Sequence, residues 1–308
     1  MKYLEKTKKF TPDNLIPLDE CVLAALELFS IHESNNLDLS KFKRPLIAGS
    51  GNAIVTAEII FWDIDCVFCD ETNFDSQILK DVDWVIIVSA SWEKHAPVFA
   101  KKAQEKNLEV ILFTCSKNSS AQNIIWEKNT IVTPKNREPY TYNTSTYMWW
   151  IFAKTAENPK KIFDYIQNEI DPILEKINFW NFSSYLLVTP DEFSWVNQLF
   201  RVKFIELFGR KIARDVFSYE HIKHAITVVP DENELAISFW QWEFDFESTR
   251  VNFPLPDDIS MAGMMAIWYY VIWKIQKSHP NYFQDNIWEY IQRMNTSWFS
   301  KWLSVIVE

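Results

Sequence analysis

Glycine is scarce in this sequence, and positive charge is in deficit. The chain has 308 residues but only 4 glycines, against the roughly 20 that an average usage of about 7% would give. In such a chain we expect the few glycines at positions whose backbone conformation other residues do not readily adopt. The chain has 31 Lys and Arg residues against 41 Asp and Glu residues, a net charge of −10. This acidity argues against nucleic acid as the main partner, although one loop could still hold a small phosphorylated ligand.

Long apolar segments are also missing. The longest uncharged apolar run, from Met261 to Trp273, is shorter than the roughly 20 residues that a membrane span needs. No apolar segment typical of a signal peptide follows the charged start of the chain. We therefore expect a soluble cytoplasmic protein that does not contact a membrane.

The four cysteines are too few and too scattered for a disulfide framework. Cys66 and Cys69 have the spacing of a metal or redox site, but no second Cys pair or His pair accompanies them. A redox motif would also open a helix, whereas this segment is typical of a short strand. The pattern favours ordinary thiols, and we expect no metal and no cofactor.

Predicted strands and helices alternate along the chain, which favours parallel sheets covered by helices. A charged helical stretch over residues 158–176 separates two such halves. We predict an α/β fold of two three-layer halves with mainly parallel sheets, as domains 1–157, with a leading helix, and 158–308. The predicted strands are 44–48, 66–70, 82–89, 109–115 and 130–133 in the first half, and 184–189, 225–229 and 235–239 in the second.

Half of the glycines lie in Gly49-Ser50-Gly51, where a predicted strand gives way to a helix. A helix N-terminus offers unpaired N–H groups and partial positive charge, so this turn could hold an anion. A dinucleotide-binding turn would carry a third glycine where Ile54 stands. A tight turn without a ligand is the alternative.

Hydroxyl side chains follow the next two predicted strands. Ser89 and Ser91 leave one strand shortly before Lys94, and Ser119 lies in the loop after the following strand. Ligands of open α/β sheets bind at the carboxyl ends of the strands, where hydroxyls and a lysine can hold a phosphate. Taken alone, these serines could instead be helix caps and turns.

These segments resemble the sugar isomerase (SIS) domain family, which arranges a glycine-rich turn and serine loops around a sugar phosphate. The resemblance covers roughly residues 44–155, and more loosely 180–308, in the manner of double-SIS phosphosugar isomerases and deglycases. It implies that the phosphate is bound by Gly49, Ser50, Gly51, Ser89, Ser91, Lys94 and Ser119. Where the family carries a serine, a glycine and a threonine, this chain has Ala53, Trp92 and Lys94.

The second half carries a candidate catalytic group. Lys203 and Glu206 are three residues apart, which places both on one face of a helix; an exposed ion pair would explain this equally well. His221 and His224 follow Glu206 by 221 − 206 = 15 and 224 − 206 = 18 residues. The resemblance implies that Glu206 is the enolising base, preceded by a family lysine at Lys203. It also implies that one of the two histidines opens the sugar ring.

The resemblance further implies a homodimer and a phosphorylated sugar as substrate, with Arg137 as a possible charge stabiliser. A carboxylate can move a proton between neighbouring carbons, and a histidine titrates near neutral pH, so these residue types suit aldose–ketose isomerisation. Two alternatives stay open. One is a non-catalytic phosphosugar-binding protein, suggested by Trp92 and Ala53. The other is a deglycase of phosphorylated fructosamines, in which Lys203 acts as an amine.

Overall fold

The structure is a computed structural model that describes residues 1–32, 39–78, 80–90, 95–116, 124–125, 129–225, 229–239, 249–297 and 303–308. The chain divides into two compact units. The first-sheet unit consists of His32–Lys135 and Ser145–Ala156. The second-sheet unit consists of Met1–Ile31, Asn136–Thr144 and Glu157–Glu308. The domain boundaries expected from the sequence stay a prediction.

The first-sheet unit is built on a parallel sheet whose strands lie in the order β2-β1-β3-β4-β5. The central strands are fully apolar and buried, as expected for a sheet covered on both faces. The bounds of these strands are β1 Leu46–Ala48, β2 Val67–Cys69, β3 Trp84–Val88, β4 Glu109–Thr114 and β5 Thr130–Val132.

The second-sheet unit repeats this order. Its parallel sheet runs β10-β9-β7-β8, so the first strand in sequence again lies between the second and the third. A short antiparallel pair, β6 with β11, belongs to the same unit. The bounds of these strands are β6 Glu138–Pro139, β7 Ser184–Thr189, β8 Ala213–Ser218, β9 Glu234–Phe239, β10 Thr249–Phe253 and β11 Ile306–Val307.

The helices follow the strands as crossover connections or lead into them. A π-helical turn, Ile166–Ile170, joins α7 to α8, and a 3₁₀ segment, Asp191–Val196, leads into α9. None of the helices in the described ranges is long and apolar enough to cross a bilayer. The bounds are α1 Lys2–Thr7, α2 Leu18–Ile31, α3 Asn52–Ile60, α4 Phe74–Gln77, α5 Ala96–Glu105, α6 Thr144–Thr155, α7 Pro159–Tyr165, α8 Asp171–Leu174, α9 Asn197–Phe208, α10 Tyr219–Ile222, α11 Met261–Lys277 and α12 Tyr282–Thr296.

The α/β prediction with parallel sheets is confirmed, and one strand is placed differently. The sequence predicted a strand over residues 225–229, of which 226–228 lie outside the described residues. Ala225 lies in a turn and Val229 in a bend. The partner of β7 is instead β8, Ala213–Ser218. The helix that carries Lys203 and Glu206 ends at Phe208, because Gly209 adopts a left-handed backbone with φ of +58°.

Candidate functional site

The glycine turn lies where the strand order of the first sheet reverses. β1 has β2 on one side and β3 on the other, and all three run parallel. In such sheets ligands bind at the carboxyl ends of the two strands that flank this switch point. Gly49-Ser50-Gly51 directly follows β1, and Ser89 directly follows β3. The fold therefore brings these predicted phosphate-binding positions to one sheet edge.

Both glycines of this turn are required by the backbone. A Cβ on Gly49 would lie 3.2 Å from the carbonyl oxygen of Val88 and 3.1 Å from the backbone nitrogen of Ile54. Gly51 immediately precedes α3 with φ of +55°, a conformation that L side chains rarely adopt. Among the described residues no side chain caps α3 through a hydrogen bond. The backbone N–H of Ala53 donates to the carbonyl of Ser50 at 3.1 Å, and the partial positive charge of the helix N-terminus favours an anion at this edge.

Three predicted phosphate ligands, Ser91, Lys94 and Ser119, lie outside the described residues. The loop after β4 is described as far as Ser116, whose backbone N–H donates to the hydroxyl of Thr114 at 3.1 Å. The Thr114 hydroxyl itself donates to the carbonyl of Ala90 at 3.3 Å, and so links the ends of β3 and β4. The Thr114 hydroxyl therefore stabilises this edge of the sheet through hydrogen bonds to both loops.

Lys203 and Glu206 form a buried ion pair in the second-sheet unit. Lys203 Nζ lies 2.6 Å from Glu206 Oε2, and the lysine side chain has no exposed surface. The ammonium also donates to the carbonyl oxygens of Thr141 and Tyr142, the latter at 3.0 Å. Its three N–H donors therefore have three acceptors, which is the complete set for an ammonium group. The sequence suggested an exposed pair as the simplest alternative, and the burial of Lys203 contradicts that alternative.

The Glu206 side chain is 19% exposed, and its carboxylate helps line a cavity of about 530 Å³. This volume lies in the range of sites for small organic ligands. The other walls are mainly aromatic and aliphatic, with one amide side chain and two cationic residues. They include Tyr140, Phe208, Arg210, Lys211, Tyr282, Phe283, Asn286 and Tyr290.

The segment 140–143 that walls this cavity has an unusual backbone. Thr141 has φ of +70°, which is rare for a β-branched residue. This conformation presents its carbonyl oxygen to Lys203, while the side-chain hydroxyl is buried without a hydrogen-bond partner among the described residues. Burial raises the pKa of Tyr140 well above its usual range, and a hydrogen bond with Tyr290 and the charge of Glu206 add to the shift. Tyr140 is therefore a neutral hydroxyl at neutral pH.

Neither candidate histidine lines this cavity. His221 lies on α10, where its Nδ1 is 3.3 Å from the hydroxyl of Ser218, and it lines a different cavity together with Arg201. His224 follows α10 and is exposed. The described residues of the chain thus bring Lys203 and Glu206 together but place neither histidine beside them.

Arg137 is held by structural contacts. Its Nε lies 3.0 Å from Glu308 Oε1, and its Nη1 donates to the carbonyl of Phe10 at 2.6 Å. The guanidinium also lies 4.3 Å from the centre of the Phe10 ring. Arg137 therefore ties the two ends of the chain to β6, and its role as a charge stabiliser stays a prediction.

Cys66 and Cys69 in the first-sheet unit are poor nucleophiles. Burial, with the charge of Asp65, raises the pKa of Cys66 to about 11, and burial, with the charge of Asp70, raises that of Cys69 to about 12. Cys69 Sγ donates to the carbonyl of Ile47 at 3.4 Å. Among the described residues no group of three His, Cys, Asp or Glu side chains has the arrangement of a metal site.

Sequence reasoning missed the aromatic wall of the Glu206 cavity. Tyr140 comes from the segment before α6, and Tyr282, Phe283 and Tyr290 come from α12. The aromatic residues of this chain are so numerous, at 16% of the sequence, that those on a cavity wall do not stand out from core residues. The spacing of Phe283, Ile287 and Ile291 signals the buried face of α12, but not the cavity beside it.

Comparison with known proteins shows that the fold of this chain is similar to that of several solved structures. No protein-family model matches the chain, and no curated protein sequence matches it. Solved structures do match over nearly the whole chain. Tagatose-6-phosphate ketose/aldose isomerase from Escherichia coli superposes with a TM-score of 0.60 at 12% identity, over 95% of this chain and 99% of that one.

Two further structures are similar over comparable lengths. Glucosamine-6-phosphate deaminase from Thermotoga maritima has a TM-score of 0.56 and 15% identity, covering 90% of this chain and 94% of that one. The C-terminal domain of glucosamine-fructose-6-phosphate aminotransferase from Francisella tularensis has a TM-score of 0.55 and 14% identity, covering 90% and 96%. At such identities the likeness establishes the fold alone. All three names contain a sugar phosphate.

Proposed function

We propose that this chain binds a sugar phosphate and interconverts its aldose and ketose forms through an enediol. The observation that carries the proposal is the Glu206 carboxylate on the wall of a ligand-sized cavity, held there by the buried Lys203. A carboxylate fixed in one position can take a proton from the carbon beside a carbonyl and return it to the neighbouring carbon. The similar structures, each named for a sugar phosphate, favour the same class of ligand.

The phosphate group is bound, in this proposal, at the carboxyl edge of the first sheet. Gly49, Ser50 and Gly51 supply backbone amides and a hydroxyl, and Ser89 supplies a second hydroxyl at the neighbouring strand end. Ser91, Lys94 and Ser119 complete the set that the SIS resemblance implies. The two halves, 1–157 and 158–308, are proposed to be two SIS domains, and the shared strand order of the two sheets supports this.

Lys203 is the positioning residue for Glu206. With all three N–H donors occupied and no exposed surface, Lys203 cannot attack a substrate without losing buried hydrogen bonds. This arrangement disfavours the deglycase alternative, in which Lys203 acts as an amine. The ring-opening group is His221 or His224, both of which are exposed, and the active protein is proposed to be a homodimer.

The test is exchange of the proton at carbon 2 of a panel of hexose and pentose phosphates in deuterated water, followed by NMR. Glu206→Gln removes the base but keeps a hydrogen-bond acceptor for Lys203, and we expect a rate loss of about 10²- to 10⁴-fold. Glu289→Gln, an exposed glutamate on α12, is the matched control and should keep the wild-type rate. Equal exchange rates for Glu206→Gln and the wild type would refute the role of the carboxylate.

One observation favours a second candidate, a phosphosugar-binding protein without catalysis. Among the described residues, no histidine lines the cavity that Glu206 lines. A binding protein would be stabilised against heat by a sugar phosphate but would catalyse no exchange at carbon 2. Thermal stabilisation without exchange in the wild type would select this candidate over the isomerase.

A further inference from the structure

The Glu206 cavity has a positively charged wall that proton transfer by Glu206 does not use. Arg210 and Lys211 line this cavity together with Glu206. They lie in the turn that leads from the end of α9 into the start of β8, at the amino edge of the second sheet. The chain has 41 acidic residues and a net charge of −10, so two adjacent cations on one cavity wall run against its overall charge.

The turn that carries the two cations has a defined backbone. Gly209 has φ of +58°, and its N–H donates to the carbonyl of Ile205 at 2.9 Å, which ends α9 at one position. The N–H of Lys211 donates to the carbonyl of Phe208 at 3.2 Å. These two hydrogen bonds fix the backbone from which Arg210 and Lys211 extend at the cavity.

The charges of Arg210 and Lys211 are not neutralised within the described part of the chain. Neither side chain has an acceptor there. Glu206 is the one carboxylate on the described lining of the cavity, and the Lys203 ammonium already pairs with it at 2.6 Å. Burial and the neighbouring charge of Arg210 lower the pKa of Arg214 on β8, so a third cation lies within electrostatic reach. An anion at this turn would relieve the repulsion.

The rest of the cavity offers apolar contact surface to an organic ligand. Phe208, Phe283 and Tyr290 are among its aromatic walls. Arginine and lysine side chains carry hydrogen-bond donors and no acceptor, so the group that complements them is a negatively charged acceptor. Together these walls fit an organic anion whose charged group lies at residues 210–211.

We propose that the ligand of the Glu206 cavity is a sugar phosphate that also carries a carboxylate group, and that Arg210 and Lys211 bind this carboxylate. The Arg210 guanidinium is a planar fork that matches both carboxylate oxygens, and Lys211 adds a point charge. This inference rests on the proposed function, which assigns the phosphate to the first sheet, so the anion at this cavity is a second group. It names the substrate class as phosphorylated sugar acids.

The first test is isothermal titration of the full chain with 6-phosphogluconate and with glucose 6-phosphate, of which only the former has a carboxylate. We expect the double variant Arg210→Gln, Lys211→Gln to bind 6-phosphogluconate about 10- to 100-fold more weakly, the loss typical of charged hydrogen bonds. Its affinity for glucose 6-phosphate should stay within about twofold of the wild type, because salt screens charges that do not contact the ligand.

The matched control is the double variant Lys176→Gln, Lys277→Gln. It removes two exposed lysines from the same unit, outside the cavity, and should bind both ligands as the wild type does. Equal losses for the two ligands in the Arg210→Gln, Lys211→Gln variant would overturn the inference, since the two cations would then act only through their general field. Unchanged affinity for 6-phosphogluconate, or no binding of it by the wild type, would overturn it as well.

Fructose 1,6-bisphosphate tests whether the second anion is a carboxylate. We expect the wild type to bind 6-phosphogluconate more tightly than the bisphosphate. Tighter binding of the bisphosphate, lost in the Arg210→Gln, Lys211→Gln variant, would assign a second phosphate to this turn and reject the carboxylate.

A charge reversal guards against misfolding of the double variant. Lys211 is exposed, so Lys211→Glu should leave the fold and the melting temperature unchanged. We expect it to bind 6-phosphogluconate at least about tenfold more weakly than Lys176→Glu does, because a like charge then faces the carboxylate. Equal affinities of these two variants would contradict a carboxylate site at Lys211.

These titrations measure binding alone, so their result is separable from that of the exchange assay. If the wild type binds 6-phosphogluconate selectively through Arg210 and Lys211 but catalyses no exchange at carbon 2, the isomerase proposal fails and this inference stands. If exchange depends on Glu206 while 6-phosphogluconate and glucose 6-phosphate lose affinity equally, or not at all, in the double variant, this inference fails and the isomerase proposal stands.

Discussion

At the scale of single residues, the most constrained group in the second-sheet unit is the Lys203 ammonium. It is completely buried, and the Glu206 carboxylate and two backbone carbonyls take up all three of its protons. A buried ion pair contributes little net stability, because desolvation offsets the attraction, but removing one partner leaves an unpaired buried charge. The expected role of Lys203 is therefore to fix the position of Glu206.

Lys203→Met tests this role through stability. The substitution leaves the carbonyls of Thr141 and Tyr142 without their donor and Glu206 without its cation, so we expect the free energy of unfolding to fall by about 3–5 kcal/mol. Lys223→Met is the control, because Lys223 forms the same Lys–Glu spacing with Glu220 on the surface. Breaking that exposed pair should leave the free energy of unfolding almost unchanged. Urea unfolding of both variants gives the comparison, and similar losses would contradict the argument.

The sequence predicted that Lys203 and Glu206 share a helix face but not that the pair is buried. The i, i+3 spacing fixes their mutual orientation, whereas burial depends on the segment 140–143, more than 60 positions away. The left-handed backbone of Thr141 that brings its carbonyl to Lys203 has no signal in residue type, since β-branched residues avoid it. The glycine turn was easier to predict from the sequence, because two of the four glycines lie in it and indicate an unusual backbone conformation.

At the scale of elements, prediction worked where burial gives a continuous apolar run. β3, β4 and β7 were all placed within a few residues of their observed bounds. β8 was missed because two charged residues, Arg214 and Asp215, are adjacent in it and its side chains are mostly exposed or half-buried. The parallel strand β10 was missed because its side chains are likewise mostly exposed or half-buried. Such strands are specified by pairing with β7 and β9 more than by their own pattern.

The N-terminus of α11 depends on a residue from outside the helix. Glu157 accepts hydrogen bonds from the backbone N–H groups of Ser260, Ala262 and Gly263, at 2.7, 2.9 and 3.0 Å. A carboxylate at this position also interacts favourably with the helix dipole. We therefore expect Glu157→Ala to lower the free energy of unfolding by about 2–3 kcal/mol.

The control for Glu157→Ala is Glu175→Ala, which removes an exposed glutamate next to the end of α8. It should change the free energy of unfolding by less than about 0.5 kcal/mol. Thermal denaturation followed by circular dichroism measures both variants. A melting temperature of Glu157→Ala equal to that of the control would mean that α11 does not need this cap.

At the scale of the whole molecule, the two sheets share one strand order, which the sequence predicted only as two α/β halves. In each sheet the first strand in sequence lies between the second and the third, and no local residue pattern specifies that order. The contacts of the chain ends did not follow from any local pattern. The pairing of Ile306–Val307 with Glu138–Pro139 joins segments more than 160 residues apart, and the first 31 residues belong to the second-sheet unit.

Stability of the whole chain should depend on pH through Asp19. Burial raises its pKa from 3.8 to about 6, although Lys274 opposes the shift. Between pH 3.8 and pH 6 the Asp19 carboxyl is protonated in the folded state but ionised in the unfolded state. The contribution of Asp19 to the free energy of unfolding is therefore greatest at low pH and is lost as the pH rises through 6. The linkage relation gives a loss of about 1 kcal/mol between pH 5 and pH 7.5. Asp19→Asn cannot titrate, so the pH dependence of its urea unfolding should differ from that of the wild type by this amount. Parallel pH profiles for the two proteins would show that Asp19 titrates alike in both states.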